Sequence, residues 1–329
     1  MSCSRILRNA WTAIVLLAGA AVTAVTASAQ DYPNRPITVV VPFPPGGSTT
    51  IVARIVADKM SEALGQSIVI DNRGGAGGTV GSRAVSKSAP DGYTILLGYT
   101  GTLAIGPTLY GNVGYDPRKD FEPIGRIGTA PNTLVVHPST PVHSVAELIA
   151  YAKANPGKLD YGSAGIGTVS HVCGEYFATA AGVKLTHIPY KGTGPAIIDL
   201  LGGHIPVAFA PVPATHENAQ SGKLRMLAVT SAARSTLLPN VPTIAEAALP
   251  GFEAVLRYGL VAPPGTPRAI IERLNAALNA ALASGDVRAR LAIDGAEPLP
   301  GTPADYAADI DREEGQWSKV VKASGAKAE

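Results

Sequence analysis

Two glycine-rich turns hold most of the residues whose types could engage a ligand. The first reads Pro42-Phe43-Pro44-Pro45-Gly46-Gly47-Ser48-Thr49-Thr50, and the second Gly162-Ser163-Ala164-Gly165-Ile166-Gly167-Thr168-Val169-Ser170-His171. In each, glycines let the backbone approach a ligand closely, and Ser and Thr hydroxyls supply neutral donors where a helix should begin. The chemistry this suits is anion capture. A positive helix end favours a carboxylate by roughly 0.3–1 kcal/mol, up to ~2 when partly buried. Neither turn contains Lys or Arg, so an anion held there would be held by amides and hydroxyls. The candidate ligand-binding residues are Phe43, Gly46, Gly47, Ser48, Thr49 and Thr50 in the first turn and Gly165, Ile166, Gly167, Thr168, Ser170 and His171 in the second, with Thr100 beyond the third strand. Taken singly, either turn reads equally well as a tight strand-to-helix connection with capping hydroxyls. The pair suggests a clamp.

A third turn, Ile188-Pro189-Tyr190-Lys191-Gly192-Thr193-Gly194-Pro195, also ends a strand and starts a helix. Tyr190 and Lys191 either gate a cleft there or form a surface turn. Other chemistries lack anchors. No G-x-x-x-x-G-K-[ST] occurs, and the glycine clusters at 75–80 and 165–170 each miss the last glycine of a dinucleotide fingerprint. Ser163 has no glycine two residues before it, so the G-x-S-x-G elbow is absent. His171 and Cys173 are two apart on a predicted helix and so point in different directions, which leaves Cys173 as a buried structural thiol. The remaining histidines show no metal spacing. No catalytic residue, metal or cofactor is expected.

The elements that must position these turns are alternating short β-branched strands and amphipathic helices, the pattern of a parallel α/β sheet. Strands are expected at 37–41, 68–70 and 93–97, with helices at 49–64 and 79–87; the pattern restarts after Arg126 with strands at 133–137, 159–162, 185–188, 207–209 and 224–229. Three helices follow an extended stretch at 255–262, without strands of their own, and are expected to pack back on the first half. This gives two doubly wound lobes, residues 30–126 with 255–329 and residues 127–254, joined by extended crossovers near 125–129 and 252–262.

The first 29 residues read as an export signal: Arg5 and Arg8, an apolar run from Ala10 to about Val25, then Ala27-Ser28-Ala29. The run is too rich in Ala, Gly and Thr for a preferred span of roughly 20 residues. Cleavage there takes two arginines from the 27 basic residues and leaves 25 against 25 acidic, a neutral chain. Such a surface offers no phosphate backbone or anionic membrane a footprint. A soluble monomer with one cysteine, Cys173, is expected in the periplasm.

At these residues the chain resembles the substrate-binding receptors of tripartite tricarboxylate transporters, the Bug-type periplasmic family. The resemblance runs through Tyr32-Pro33, Pro45-Gly46-Gly47-Ser48, Asn72-Arg73-Gly74-Gly75-Ala76-Gly77-Gly78, Asp91-Gly92-Tyr93-Thr94, Gly165-Ile166-Gly167-Thr168, Pro189-Tyr190-Lys191-Gly192, Leu227-Ala228-Val229-Thr230 and Ala262-Pro263-Pro264-Gly265-Thr266-Pro267. It implies a type II periplasmic-binding fold that closes like a Venus flytrap, a small carboxylate gripped by residues 43–50 and 165–171, and delivery to membrane permease subunits. A sensor that hands its closed form to a signalling protein, or less readily a periplasmic hydrolase or lyase, are the alternatives. Where such receptors commonly carry aspartates this chain has Thr50 and Ala210, and Arg257 stands where they often place tryptophan. These departures suggest a ligand without an ammonium group, a dicarboxylate or aromatic carboxylate. Arg257 is then either a partner for a second carboxylate or a solvent-facing arginine at the crossover.

Overall fold

The computed structural model describes residues 32–45, 48–293, 295–324 and 326, with the side chains of Ser48 and Ser324 excepted. The expected export signal, and Gly46 and Gly47 of the first turn, lie outside the described residues. Strand β1 (Ile37–Val41) pairs in parallel with β2 (Ile68–Asn72) on one side and β3 (Thr94–Tyr99) on the other. Helix α1 (Ser48–Leu64) connects β1 to β2 and buries Val52, Ile55, Val56 and Met60 at helical spacing; Ile51, expected on the same stripe, is exposed. Helix α2 (Thr79–Ser86) leads to β3, and a π-helical turn, Gly101–Ile105, runs from there into α3 (Gly106–Leu109).

Strand β4 (Glu122–Val136) is the shared element. Its first part pairs with β9 (Val255–Ala262) and with the short β10 (Glu297–Pro298), its last five residues pair with β7 (Val207–Pro211) on one edge, and its last four with β8 (Arg225–Val229) on the other. Beyond β7 lie β5 (Asp160–Ser163) and β6 (Thr186–Pro189), both running parallel to it. Among the described residues this makes a sheet of ten strands with the path β2-β1-β3-β9-β4-β7-β5-β6. The sequence places only 133–137 as strand at this point, because Pro123, Gly125, Gly128 and Pro131 interrupt the apolar run. The structure accommodates them with register shifts between Pro123 and Gly125 and between Arg126 and Gly128.

Helices cover both faces. In the second half α4 (Val145–Ala154) and α5 (Val169–Ala181) bury Leu148, Val172 and Phe177 in one core with Tyr161 and Phe209. Helix α6 (Thr193–Leu201) buries Ile197 and Leu200 in a separate core with Val135, Ala208 and Ala210. Helices α7 (Val212–Gln220) and α8 (Ile244–Ala247) complete that half.

The tail departs from expectation. Helices α9 (Arg268–Ala283) and α10 (Gly285–Ile293) do pack on the first half, through Leu274, Leu278, Val287 and Leu291. The last helix, α11 (Pro303–Ser324), instead spans both: Tyr306 and Ile310 pack with Val40, Leu96 and Val261, whereas Trp317, Val320 and Val321 enter the core of Phe177 and Phe252. Its apolar stripe is long enough to serve two cores, and periodicity alone does not say which neighbour each turn meets.

Candidate functional site

A cavity of about 510 Å³ opens where the carboxyl ends of β1 and β3 face those of β5, β6 and β7, the crevice position for ligands in open α/β sheets. From the first half it is lined by Phe43, Pro44, Pro45, Thr49 and Tyr99; from the second by Ala164, Thr168, Val169 and Ser170 and by Lys191, Gly192 and Thr193. Asn132 and Pro211, partners across the β4–β7 ladder, complete the wall with Leu256 and Tyr258 of β9. The wall contains one lysine and no Asp or Glu.

The first turn is held by β2. The side-chain amide of Asn72 donates to the Phe43 carbonyl and to Thr50 Oγ1, both at 2.9 Å, and the Arg73 N–H donates to the Val41 carbonyl at 2.8 Å. Thr50 is spent in that contact and does not line the cavity; nor does Ala210, which faces the α6 core. The two positions therefore cannot have emptied the cleft of acid. Phe43 is set edge-on against Tyr99, ring centroids 4.9 Å apart, giving the cavity an aromatic side.

In the second turn the hydroxyls are consumed internally. Thr168 Oγ1 donates to the Gly165 carbonyl at 2.6 Å and, as the cap of α5, accepts from the His171 N–H at 3.4 Å. Ser170 Oγ accepts from the Ala164 N–H at 3.0 Å and lies 3.0 Å from Thr168 Oγ1. The first four N–H groups of a helix have no partner within it, and the cap takes only that of His171. Val169 and Ser170, whose N–H groups have no other partner among the described residues, line the cavity. The donors offered by this turn are backbone amides, and its hydroxyls fix their direction. Gly165 and Gly167 take φ values of 123° and 79°, and a Cβ on Gly167 would stand 2.6 Å from the Tyr110 hydroxyl. Gly165, Ile166 and Gly167 thus shape the turn without lining the cavity; the Ile166 carbonyl accepts from Tyr110 Oη at 3.3 Å.

His171 is 3% exposed and sits behind the turn, not in front of it. Its Nδ1 accepts from the Gly167 N–H at 3.3 Å, its ring stacks on His187 at 4.1 Å, and His187 stacks in turn on Tyr161. Burial pushes His171 down to about 4; burial, then the neighbouring His171, pushes His187 to about 3, so both rings are neutral near pH 7. Ser163 Oγ lies 2.6 Å from His187 Nε2, a serine–histidine contact invisible in the sequence, yet Ser163 is wholly buried and no substrate reaches it.

Thr100 and Arg257 are not in the cavity wall either. Successive side chains on a strand point to opposite faces. On β9, Leu256 and Tyr258 line the cavity while Arg257 turns to α11, where its Nε lies 2.8 Å from Glu313 Oε1 as a charge pair. Thr100 Oγ1 donates to Glu313 Oε2 at 2.9 Å and accepts from the Arg257 N–H at 2.9 Å. Glu313 is pushed up to about 7 by burial, against the pull of Arg257 and the Thr100 hydrogen bond. Tyr190 also turns away, donating to Asp199 at 2.7 Å, and leaves its neighbour Lys191 at the cavity. Of the sequence candidates, Phe43, Thr49, Thr168 and Ser170 meet at the cavity, and of the third turn Lys191 reaches it with Thr193; Asn132, Tyr99, Leu256 and Tyr258 were missed. Asn132 carried one signal, a lone amide directly before the run Thr133-Leu134-Val135-Val136. Cys173 is buried, as expected.

A two-lobed α/β receptor with an acid-free cleft between opposed strand ends is the class these features define. Residues 52–326 match the tripartite tricarboxylate transporter family receptor model, and the chain belongs to that family. It is 42% identical to protein BugT of Bordetella pertussis over 301 residues, 91% of this chain and 92% of that one. Among solved structures it is similar to Rpa4515 of R. palustris with adipate, with a TM-score of 0.82 and 42% identity over 90% of this chain and 99% of that one. It is also similar to MatC of Rhodopseudomonas palustris with bound malate, with a TM-score of 0.79 and 35% identity over 88% and 100%. The fold is that of type II periplasmic binding proteins, and these relatives are solute receptors, not enzymes. No helix among the described residues is long and apolar enough to cross a membrane.

Proposed function

We propose that this protein is a periplasmic receptor that closes its two lobes on a small carboxylate, a dicarboxylate or aromatic carboxylate in preference to an amino acid, and delivers it to a tripartite tricarboxylate-type permease. Export follows cleavage after Ala29, and the mature chain acts as a monomer. The observation that carries this reading is the composition of the cavity wall: helix N-termini at Thr49, Val169 and Thr193, one lysine and no carboxylate. An ammonium group would be stripped of water there beside positive helix ends, with no anion to pair it. The apolar remainder, Phe43, Tyr99, Leu256 and Tyr258, suits a hydrocarbon or ring body between polar ends. The adipate and malate of the similar structures are dicarboxylates, in keeping with this choice.

A thermal-shift and calorimetric panel of adipate, malate and benzoate-type acids against aspartate and glutamate tests the reading. A bound acid at a hundredfold excess over Kd stabilises the native state by about 2.7 kcal/mol, a readily measured rise in melting temperature. The expected result is a shift with a carboxylate lacking an amino group. Tighter binding of aspartate or glutamate would reject the ligand class.

A further inference from the structure

The cavity wall has two separate positive ends. The first is the start of α5, facing the start of α1, with the amides of Val169 and Ser170 across from Thr49. The second is the start of α6, where Lys191, Gly192 and Thr193 reach the same cavity. Helices α5 and α6 follow neighbouring strands but bury their apolar stripes in different cores, α5 with Phe209 and Tyr161, α6 with Ala208 and Ala210. Alternate residues of β7 thus serve the two cores, so the helices lie on opposite faces of the sheet and their N-termini approach the cavity from different sides.

The second end is unspent. Gly192 makes no side-chain cap, Pro195 has no N–H to satisfy, and the Thr193 N–H and hydroxyl have no partner among the described residues. Lys191 forms no ion pair among the described residues, although its neighbour Tyr190 is fixed on Asp199. Asn132 supplies an independent sign that a ligand is wanted: it is 5% exposed, lines the cavity, and its side-chain amide has no partner among the described residues.

We propose that Lys191, with the start of α6, receives a second carboxylate and is the residue that selects dianionic over monoanionic acids. This rests on the carboxylate reading above. Adipate and hexanoate have the same chain length and differ by one carboxylate, so they serve as probes for calorimetry on the wild-type protein, K191M and K191R. The wild type should prefer adipate. K191M should lose about tenfold in adipate affinity, as expected for a hydrogen bond to a charged group, and change hexanoate less than about twofold. K191R should retain the preference, and the preference should shrink as ionic strength rises. Because Lys191 is exposed, the ligand-free melting temperature of K191M should match the wild type. Equal weakening of both acids, or no change in either, would overturn the assignment to Lys191 while leaving the carboxylate reading intact. A wild type that binds neither acid but binds another dicarboxylate moves the same comparison to that acid and its mono-acid. One that binds no carboxylate overturns both.

Discussion

The two faces of β9 show how differently one strand can use its polar and apolar residues. Leu256 and Tyr258 face a cavity whose amides at Val169, Ser170 and Thr193 have no partner among the described residues, whereas Arg257 between them faces α11, where its charge is matched by Glu313. On that side Arg257 pairs its charge with Glu313 and the more exposed Glu253, and Thr100 bridges Glu313 and the Arg257 N–H across β9, the strand-3 exit and α11. The lesson is that a polar side chain marks a ligand site only when its donors are unspent. Arginine in the crossover has the right chemistry for a carboxylate, but the protein already supplies that carboxylate.

The sharpest way to break this contrast is Arg257→Ala. If Arg257 is structural, its loss leaves Glu313, 6% exposed, buried without its partner, and stability should fall by about 3–5 kcal/mol in denaturant unfolding. A variant of wild-type stability with lost ligand affinity would return Arg257 to the cleft. Next in size is Gly167→Ala, which places a Cβ at φ 79° and 2.6 Å from the Tyr110 hydroxyl. It should cost about 1–3 kcal/mol and weaken ligand binding by displacing the amides of the turn. Thr168→Val removes the α5 cap and should cost about 1 kcal/mol, with a smaller loss of affinity because the amides remain but are less well fixed.

The pH dependence separates the regions by sign. Glu313 has a folded-state pKa raised above its unfolded value, to about 7, so the native state binds its proton first and stability from this group falls as pH rises from about 4.5 to 7. His171 and His187 have folded values depressed to about 4 and 3, so their contribution is full above the unfolded value near 6.5 and is lost progressively as pH falls below it. Melting temperatures of Glu313→Gln and the wild type, compared between about pH 5 and pH 8, should show the variant gaining on the wild type as pH rises. A constant difference would mean that Glu313 does not titrate in that window.

Much of the fold was legible because strand and helix periods are local properties: β1 and α1 follow the apolar stripes of 37–41 and 49–64 closely. The two turns were legible as strand-to-helix connections for the same reason, since glycines and capping hydroxyls at a helix start are local signals. What the sequence hid was parity and sharing. Whether residue 257 or its neighbours 256 and 258 face the cleft depends on which face of β9 meets α11, and α11 serves two cores where one was expected. The hydroxyls of Thr168 and Ser170 looked like ligand donors because their capping partners, the Gly165 carbonyl and the Ala164 and His171 amides, are set by the turn's three-dimensional path.

The central claim is that unspent peptide N–H groups at helix ends, and not the Arg257–Glu313 ion pair, hold an anionic ligand. Isothermal titration of the tightest-binding acid of the panel beside its neutral amide tests this most directly. The account predicts measurable binding of the acid and at least a tenfold loss for the amide, the scale of about 1.4 kcal/mol. Equal binding of the two, or binding of neither that acid nor any other carboxylate, would contradict it.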